Sequence, residues 1–324
     1  DNSNFFALGP SGSGKSFHMN SVVRQLHEQG TDIVMVDTGN SYEGLCEYLG
    51  GKYISYTEER PITMNPFRIH KEEMNVEKTG FLKNLVLLIW KGTQGTVTKT
   101  EDRLVENVIT DYYDAYFNGF DGFTPMQRED LRKSLAIDER NRDGNREESE
   151  QERNSRIECM IDEMERRRKE LKVEELSFNS FYEYSVQRIP DICHENHISG
   201  IDLSTYRYMM KDFYRGGNHE KTLNENMDSS LFDETFVVFE IDSIKENREL
   251  FPVVTIIIME AFINKMRRLK GVRKQLIVEE AWKALSSANM AEYLRYMYKT
   301  VRKYYGEAIV VTQEVDDIIS SPVV

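Results

Sequence analysis

This 324-residue chain has few cysteines, no long apolar run and no excess of positive charge. Its three cysteines, Cys46, Cys159 and Cys193, are odd in number and widely spaced, which argues against a disulfide framework and fits a reducing cytoplasm. The apolar run over residues 253–259 is broken by Thr255 and is far shorter than the roughly 20 residues that a membrane-spanning helix needs. The net charge of −13 argues against a protein that coats nucleic acid with its whole surface, but it allows a local basic pore.

The composition that remains, 40% hydrophobic and 30% charged, is that of a globular protein. The length suffices for one large domain or two ordinary ones. We expect no signal peptide, because the sequence starts almost directly on an apolar segment that reads as a strand. We therefore expect a domain taken from a longer protein.

Residues 9–16, with the sequence GPSGSGKS, match the phosphate-binding loop pattern GxxxxGK[ST]. A strand pattern over residues 5–8 precedes them and a helix pattern over residues 17–26 follows, which is the setting that such a loop requires. Its glycines let the backbone approach a phosphate chain, and the helix N-terminus attracts the anion. The predicted nucleotide-binding residues are Gly9, Pro10, Ser11, Gly12, Ser13, Gly14, Lys15, Ser16 and Phe17. Lys15 should reach the β- and γ-phosphates of ATP, and the Ser16 hydroxyl should ligate Mg²⁺.

A second motif, QLIVEEAW over residues 275–282, is a buried-strand pattern that ends in two carboxylates. The carboxyl ends of parallel strands are where α/β sheets place their ligands. By position, Glu279 is predicted to hold Mg²⁺ and Glu280 to act as the general base on water. The usual metal carboxylate is Asp, which is one methylene shorter than Glu, so an exchange of the two roles stays open. Without the phosphate loop, a solvated acidic pair would be the simpler interpretation.

Two further residues are candidates for catalysis near the end of the chain. Gln313 follows a strand pattern over residues 308–312, and its amide suits a γ-phosphate sensor as well as a simple polar strand end. Arg302 lies at the end of a helix pattern over residues 290–304. It could stabilise transition-state charge in a neighbouring subunit, or it could only complement the helix dipole.

The order of patterns along the chain predicts an α/β fold with a large helical insertion. Strands and helices alternate over residues 1–70 and 233–324, whereas residues 71–232 read as helical, with one helix expected over residues 178–189. The basic run at residues 265–274 reads most simply as a solvated face, with a substrate-facing pore as the alternative. Cys193, His194 and His197 are metal-capable, but their spacing does not fit a zinc site.

The ordered set GPSGSGKS, VDTGNSY, MNPF, LIVEEAW, TVRKYYG and VVTQ resembles the TraG family of conjugative transposon ATPases, which act in type IV secretion and belong to the HerA/FtsK-like motors. The resemblance implies a RecA-like P-loop NTPase core with a helical lid, ATP and Mg²⁺ as ligands, and a hexameric working form. It also implies a cytoplasmic location, peripheral to the inner membrane, where the partners are type IV secretion components. In this family an N-terminal domain precedes the motor and further core elements follow Gln313. We expect the isolated fragment to be largely monomeric.

Three functions follow from these observations. The first is an ATP-hydrolysing motor that energises conjugative secretion. The second is a DNA-translocating or coupling ATPase of the HerA/FtsK type, with DNA or protein as the substrate. The third is a nucleotide-responsive scaffold with negligible turnover, which only a measurement of steady-state hydrolysis separates from a motor.

Overall fold

Two compact units make up the described part of the chain. The computed structural model describes residues 4–10, 12–142, 149–279 and 288–312. The first unit takes its described residues from 1–66, 84–97 and 216–324, and the second from 67–83 and 98–215. The assignment of residues 71–232 to one insertion stays a prediction. One of the four points at which the chain passes between the units, after residue 83, falls inside a helix, where no change in composition marks it.

The first unit is built on a six-stranded parallel sheet. Its strands are β1 (Phe5–Leu8), β2 (Asp32–Asp37), β3 (Lys52–Ser55), β4 (Phe236–Glu240), β5 (Lys274–Glu279) and β6 (Gly306–Thr312). Their order is β1-β6-β5-β2-β4-β3, and every neighbouring pair is parallel. Strands β2, β4, β5 and β6 are buried along their whole length, which explains their nearly continuous apolar sequences. All carboxyl ends therefore meet at one edge of the sheet, called here the carboxyl edge.

Helices cover this sheet. They are α1 (Lys15–Glu28), α2 (Glu43–Tyr48), α9 (Glu220–Asn224), α10 (Leu250–Arg268) and α11 (Ala288–Lys303), with 3-10 turns at Ser229–Phe232 and Asp242–Ile244. Helix α3 (Val76–Lys91) has residues in both units. Neighbouring parallel strands need a crossover connection, which is usually a helix. The alternation of strand and helix patterns in the sequence therefore follows from the parallel pairing of the strands. The fold is a RecA-like P-loop core with a large all-helical insertion.

The second unit is all-helical in its described residues. It contains α4 (Lys99–Phe117), α5 (Pro125–Arg142), α6 (Glu150–Glu170), α7 (Phe178–Glu195) and α8 (Leu203–Met210), with 3-10 turns at Lys71–Glu73 and Lys211–Phe213. Helices α5 and α6 share a small apolar core of Leu135, Ile157, Ile161 and Met164. A second core is aromatic, because Phe67 contacts Tyr112, Phe178 and Phe181.

Helix α7 is longer than the sequence predicts. It continues past Pro190 to Glu195, although proline lacks the N–H that would bond to the carbonyl four residues earlier. The side chains beyond the proline explain this continuation. Ile192 is buried, and the buried Arg188 donates to both Glu195 oxygens at 2.7 and 3.0 Å and to Asp111 at 2.8 Å. Packing and a buried ion-pair network therefore override the local break.

The basic run at residues 265–274 is only partly solvated, so its interpretation as a solvated face was wrong for two members. Lys265 is 3% exposed and lies 2.9 Å from the buried Asp32. Lys274 is also buried and donates to the Tyr304 carbonyl at 3.0 Å. Their long aliphatic stems allow burial, and the ammonium groups lie against a carboxylate or a carbonyl.

Among the described residues, no helix has both the length and the apolar character needed to cross a membrane.

Candidate nucleotide-binding site

The phosphate loop joins β1 to α1 at the carboxyl edge. Gly12 and Gly14 have φ angles of 77° and 83°, which lie in the left-handed region that glycine tolerates best. A Cβ added to Gly9 would lie 2.6 Å from Ser13 Oγ, so the serine side chain would have to move. The Ser13 N–H donates to the Pro10 carbonyl at 3.1 Å and closes the turn. The motif therefore has the compact, glycine-dependent backbone of a loop that wraps around an anion.

Helix α1 begins at Lys15 with Gly14 as its N-cap, a residue that has no side chain to bond to the amides of the first turn. No acidic residue lies in that turn either. The positive end of the helix dipole and the amides of the first turn can therefore serve an anion. The Lys15 ammonium group donates to the carbonyls of Gly9 and Pro10, the latter at 3.0 Å. It thus lies within the loop, where a phosphate oxygen could replace a carbonyl as its acceptor.

The two predicted metal ligands meet directly. Ser16 Oγ donates to Glu279 Oε1 at 3.1 Å, although β6 separates β1 from β5 in the sheet. Glu279 is 4% exposed, and its backbone carbonyl accepts a hydrogen bond from Thr38 Oγ1 at 3.1 Å. A hydroxyl and a carboxylate side by side are the oxygen donors that Mg²⁺ prefers. The residues present therefore fit a magnesium ion at this edge.

Sequence reasoning missed the loop after β2, which borders these residues. The buried carboxylate of Asp37 accepts the N–H of Gly39 at 3.0 Å and that of Ser41 at 2.9 Å. Burial raises the pKa of Asp37, while those amides and the N–H of Tyr42 oppose the rise. The motif VDTGNSY marked the loop, but only the packing shows that it reaches Glu279.

Asn20 connects the same loop to α1. Its side-chain amide donates to the Ser16 carbonyl at 2.8 Å and to the Ser41 carbonyl at 3.2 Å. Thr38 joins the loop to β5, as described above. The phosphate loop, the acidic strand and the loop after β2 are therefore linked by three side chains.

The other predicted site residues are placed differently. Phe17 follows Ser16 in α1 and is 85% exposed. Arg302 is exposed in the last turn of α11, close to the start of β6 and thus at the edge of the sheet opposite the phosphate loop. The structure therefore does not bring Arg302 to Lys15 in the same chain. Ser11, Glu280 and Gln313 lie outside the described residues, and their roles stay predictions.

Among the metal-capable groups near the end of α7, Glu195 and His197 have protein partners. Arg188 binds the Glu195 carboxylate, and His197 Nε2 lies 2.6 Å from Ser134 Oγ. Within the part of the chain that the structure describes, no group of three or more His, Cys, Asp or Glu side chains is placed to hold a metal ion.

Comparison with known proteins gives consistent results. The sequence model of the TraG P-loop domain matches residues 1–144 and 126–324. The type IV secretion system protein VirB4 of Bartonella henselae is 21% identical over 323 residues, which is 100% of this chain and 32% of that protein. The protein TraC of Escherichia coli K12 is 19% identical over 322 residues, or 98% of this chain and 30% of TraC. The chain thus spans about a third of the length of these curated relatives.

Solved structures support the fold. VirB4 of Thermoanaerobacter pseudethanolicus superposes with a TM-score of 0.63 at 19% identity, covering 99% of this chain and 72% of that one. The bacterial conjugative coupling protein TrwB, crystallised with sulphate, superposes with a TM-score of 0.52 at 11% identity. The match covers 99% of this chain and 64% of the TrwB chain.

Proposed function

This chain belongs to the TraG P-loop domain family, and we propose from this premise that it is the ATP-hydrolysing motor domain of a conjugative type IV secretion ATPase. The observation that supports hydrolysis best is the hydrogen bond from Ser16 to Glu279. It joins the end of the phosphate loop to the end of the acidic strand, as a nucleotide–magnesium site requires. The curated relative VirB4, a type IV secretion system protein, supports the assignment to type IV secretion.

We assign the roles within the site from the positions of its side chains. The loop amides and Lys15 hold the β- and γ-phosphates of ATP, and Lys15 exchanges a loop carbonyl for a phosphate oxygen. Ser16 and Glu279 hold Mg²⁺, which when bound neutralises charge on the phosphates. Glu280 removes a proton from the attacking water, and the Gln313 amide orients that water. Water attacks in line and the products are ADP and phosphate.

We also propose that the working form is a homo-hexamer attached to type IV secretion components at the inner membrane. The exposed Arg302 lies away from the phosphate loop of its own chain, which favours action on a neighbour. The chain spans about a third of the length of its curated relatives. We therefore expect that assembly requires the whole protein and that this fragment alone is largely monomeric. Sedimentation of both forms measures that difference.

Steady-state hydrolysis by the full-length protein tests the proposal, measured with and without DNA and at two salt concentrations. A motor of secretion should hydrolyse ATP with magnesium and respond little to DNA. Strong stimulation by DNA that fades with salt would instead favour a coupling or translocating ATPase. Magnesium-dependent nucleotide binding without turnover would leave the scaffold function.

A further inference from the structure

The Tyr42 hydroxyl is a buried polar group beside the proposed magnesium site. The side chain is 0% exposed, and its ring belongs to the core formed by the sheet with Met19 and Val23 of α1. The hydroxyl has no hydrogen bond of ordinary geometry with any residue that the structure describes. Buried hydroxyls rarely lack a hydrogen-bond partner, because a hydroxyl that is removed from water and left unbonded costs free energy.

Glu279 is the group that this hydroxyl approaches. Burial first, and then the negative charge of the Glu279 carboxylate and its interaction with the phenol, raise the pKa of Tyr42 far above its ordinary value. A tyrosine phenol is protonated at physiological pH and can donate a hydrogen bond. One Glu279 oxygen already accepts from Ser16, so the tyrosine approaches a carboxylate whose position is partly fixed.

The backbone around Tyr42 is held firmly. Asp37 accepts the N–H groups of Gly39 and Ser41, and Asn20 donates to the carbonyl of Ser41. The Tyr42 carbonyl accepts the Cys46 N–H at 2.8 Å at the start of α2. A ring fixed at both ends of its segment and by the core has little freedom, so its hydroxyl marks a definite point beside the carboxylate.

We propose that Tyr42 is a positioning residue that donates to the Glu279 carboxylate in the magnesium-loaded site and holds it towards the ion. The longer side chain of glutamate has one more rotatable bond than aspartate, so it needs such support more. Tyr42 touches neither nucleotide nor reacting atoms and acts through Glu279. The inference rests on the proposed nucleotide–magnesium site.

The test is a magnesium titration of the binding of a fluorescent ATP analogue by Tyr42→Phe, which keeps the ring and removes the hydroxyl. The apparent magnesium affinity should fall about 10- to 100-fold, the usual effect of losing a group that supports a metal ligand. Binding of the same analogue in EDTA and the thermal midpoint should stay close to wild type. The matched control is Tyr206→Phe, which removes another buried hydroxyl, bonded to Ser185 in the second unit at 2.8 Å.

A double-mutant cycle separates positioning from packing. In a Glu279→Gln background, Tyr42→Phe should produce no further loss of magnesium affinity, because the charge that the hydroxyl supports is gone. Unchanged magnesium affinity in Tyr42→Phe, or equal losses with and without magnesium, would overturn the inference. Should the wild-type protein bind the analogue with no dependence on magnesium, the proposed function itself would fall.

Discussion

Lys15 donates its protons to carbonyls of its own loop, Gly9 and Pro10, and supports no part of the core. We therefore expect Lys15→Ala to reduce ATP turnover to background and to change the free energy of unfolding by no more than about 0.5 kcal/mol. The measurements are phosphate release by the assembled protein and chemical denaturation. Lys52→Ala, at an exposed lysine of β3, is the control. Normal hydrolysis by an assembled Lys15→Ala protein would disprove the phosphate-loop assignment.

The two adjacent glutamates should respond differently to the loss of one charge. Glu280→Gln removes the proposed base but leaves Ser16 and Glu279 in contact, so ATP should bind with magnesium and persist unhydrolysed. Glu279→Gln should instead weaken magnesium-dependent binding, because it removes the charge of a metal ligand. Nucleotide binding and single-turnover hydrolysis of both variants measure this. If Glu279→Gln binds normally and Glu280→Gln loses magnesium, the two roles are exchanged.

Single residues also show where sequence reasoning fails. The positions of Lys15, Ser16 and Glu279 at the carboxyl edge were predictable, because a loop pattern and a strand ending fix them locally. Lys265 was misjudged as solvated, since its partner Asp32 is distant in the chain and the ion pair exists only after packing. Tyr42 appeared only as one letter of a motif, because nothing local indicates that its side chain is buried in the core of the sheet.

At the scale of elements, the paired helices α5 and α6 depend on a small apolar core. Ile161 of α6 is fully buried there, so Ile161→Ala should lower the free energy of unfolding by about 2–5 kcal/mol through lost contacts and a cavity. Ile137→Ala in α5, where the side chain is 58% exposed, should have little effect. Denaturation monitored by circular dichroism measures both. Equal losses in the two variants would show that this core contributes nothing specific.

Charge adds less than apolar packing to that pair of helices. Arg128 of α5 reaches Glu158, Asp162 and Glu165 of α6, the last at 2.9 Å. These groups are partly exposed, so solvent screening limits what each ion pair contributes. The arginine does select which faces of the two helices meet, because its three acceptors lie along one side of α6.

Element boundaries were predictable where apolar periodicity met clear start and stop signals. The strands β1 and β6 were expected within two residues of their observed bounds, because short apolar runs are typical of strands. Helix α7 was expected to end before Pro190, and its ion pairs carry it to Glu195. The strand order could not be derived, since periodicity says nothing about which strands become neighbours.

For the whole molecule, the exposed position of Arg302 in the last turn of α11 leads us to predict that hydrolysis depends on assembly. We expect Arg302→Ala to leave nucleotide affinity nearly unchanged and to lower turnover by the assembled protein about 10³- to 10⁵-fold, as the loss of an arginine acting in trans does. Mixing Arg302→Ala with Lys15→Ala subunits should restore part of the activity, because some intact pockets then meet intact arginines. The control is Arg295→Ala, an exposed arginine of the same helix. Failure of mixed assemblies to recover, while sedimentation shows that both variants assemble, would leave Arg302 a charge that complements the helix dipole.

The pairing of β1 with β6 has a consequence for how the protein matures during synthesis. Phe5 lies opposite Ile309, so β1 cannot pair with β6 until some three hundred further residues have been synthesised. Contacts of such sequence separation form slowly, because a long loop has to close first. The helices between residues 98 and 215 are contiguous and rich in local contacts, so they can fold while the ribosome is still adding the rest. The phosphate loop would then remain unable to hold a nucleotide until β6 has left the ribosome, which delays the onset of ATP binding until almost all of this sequence has been translated.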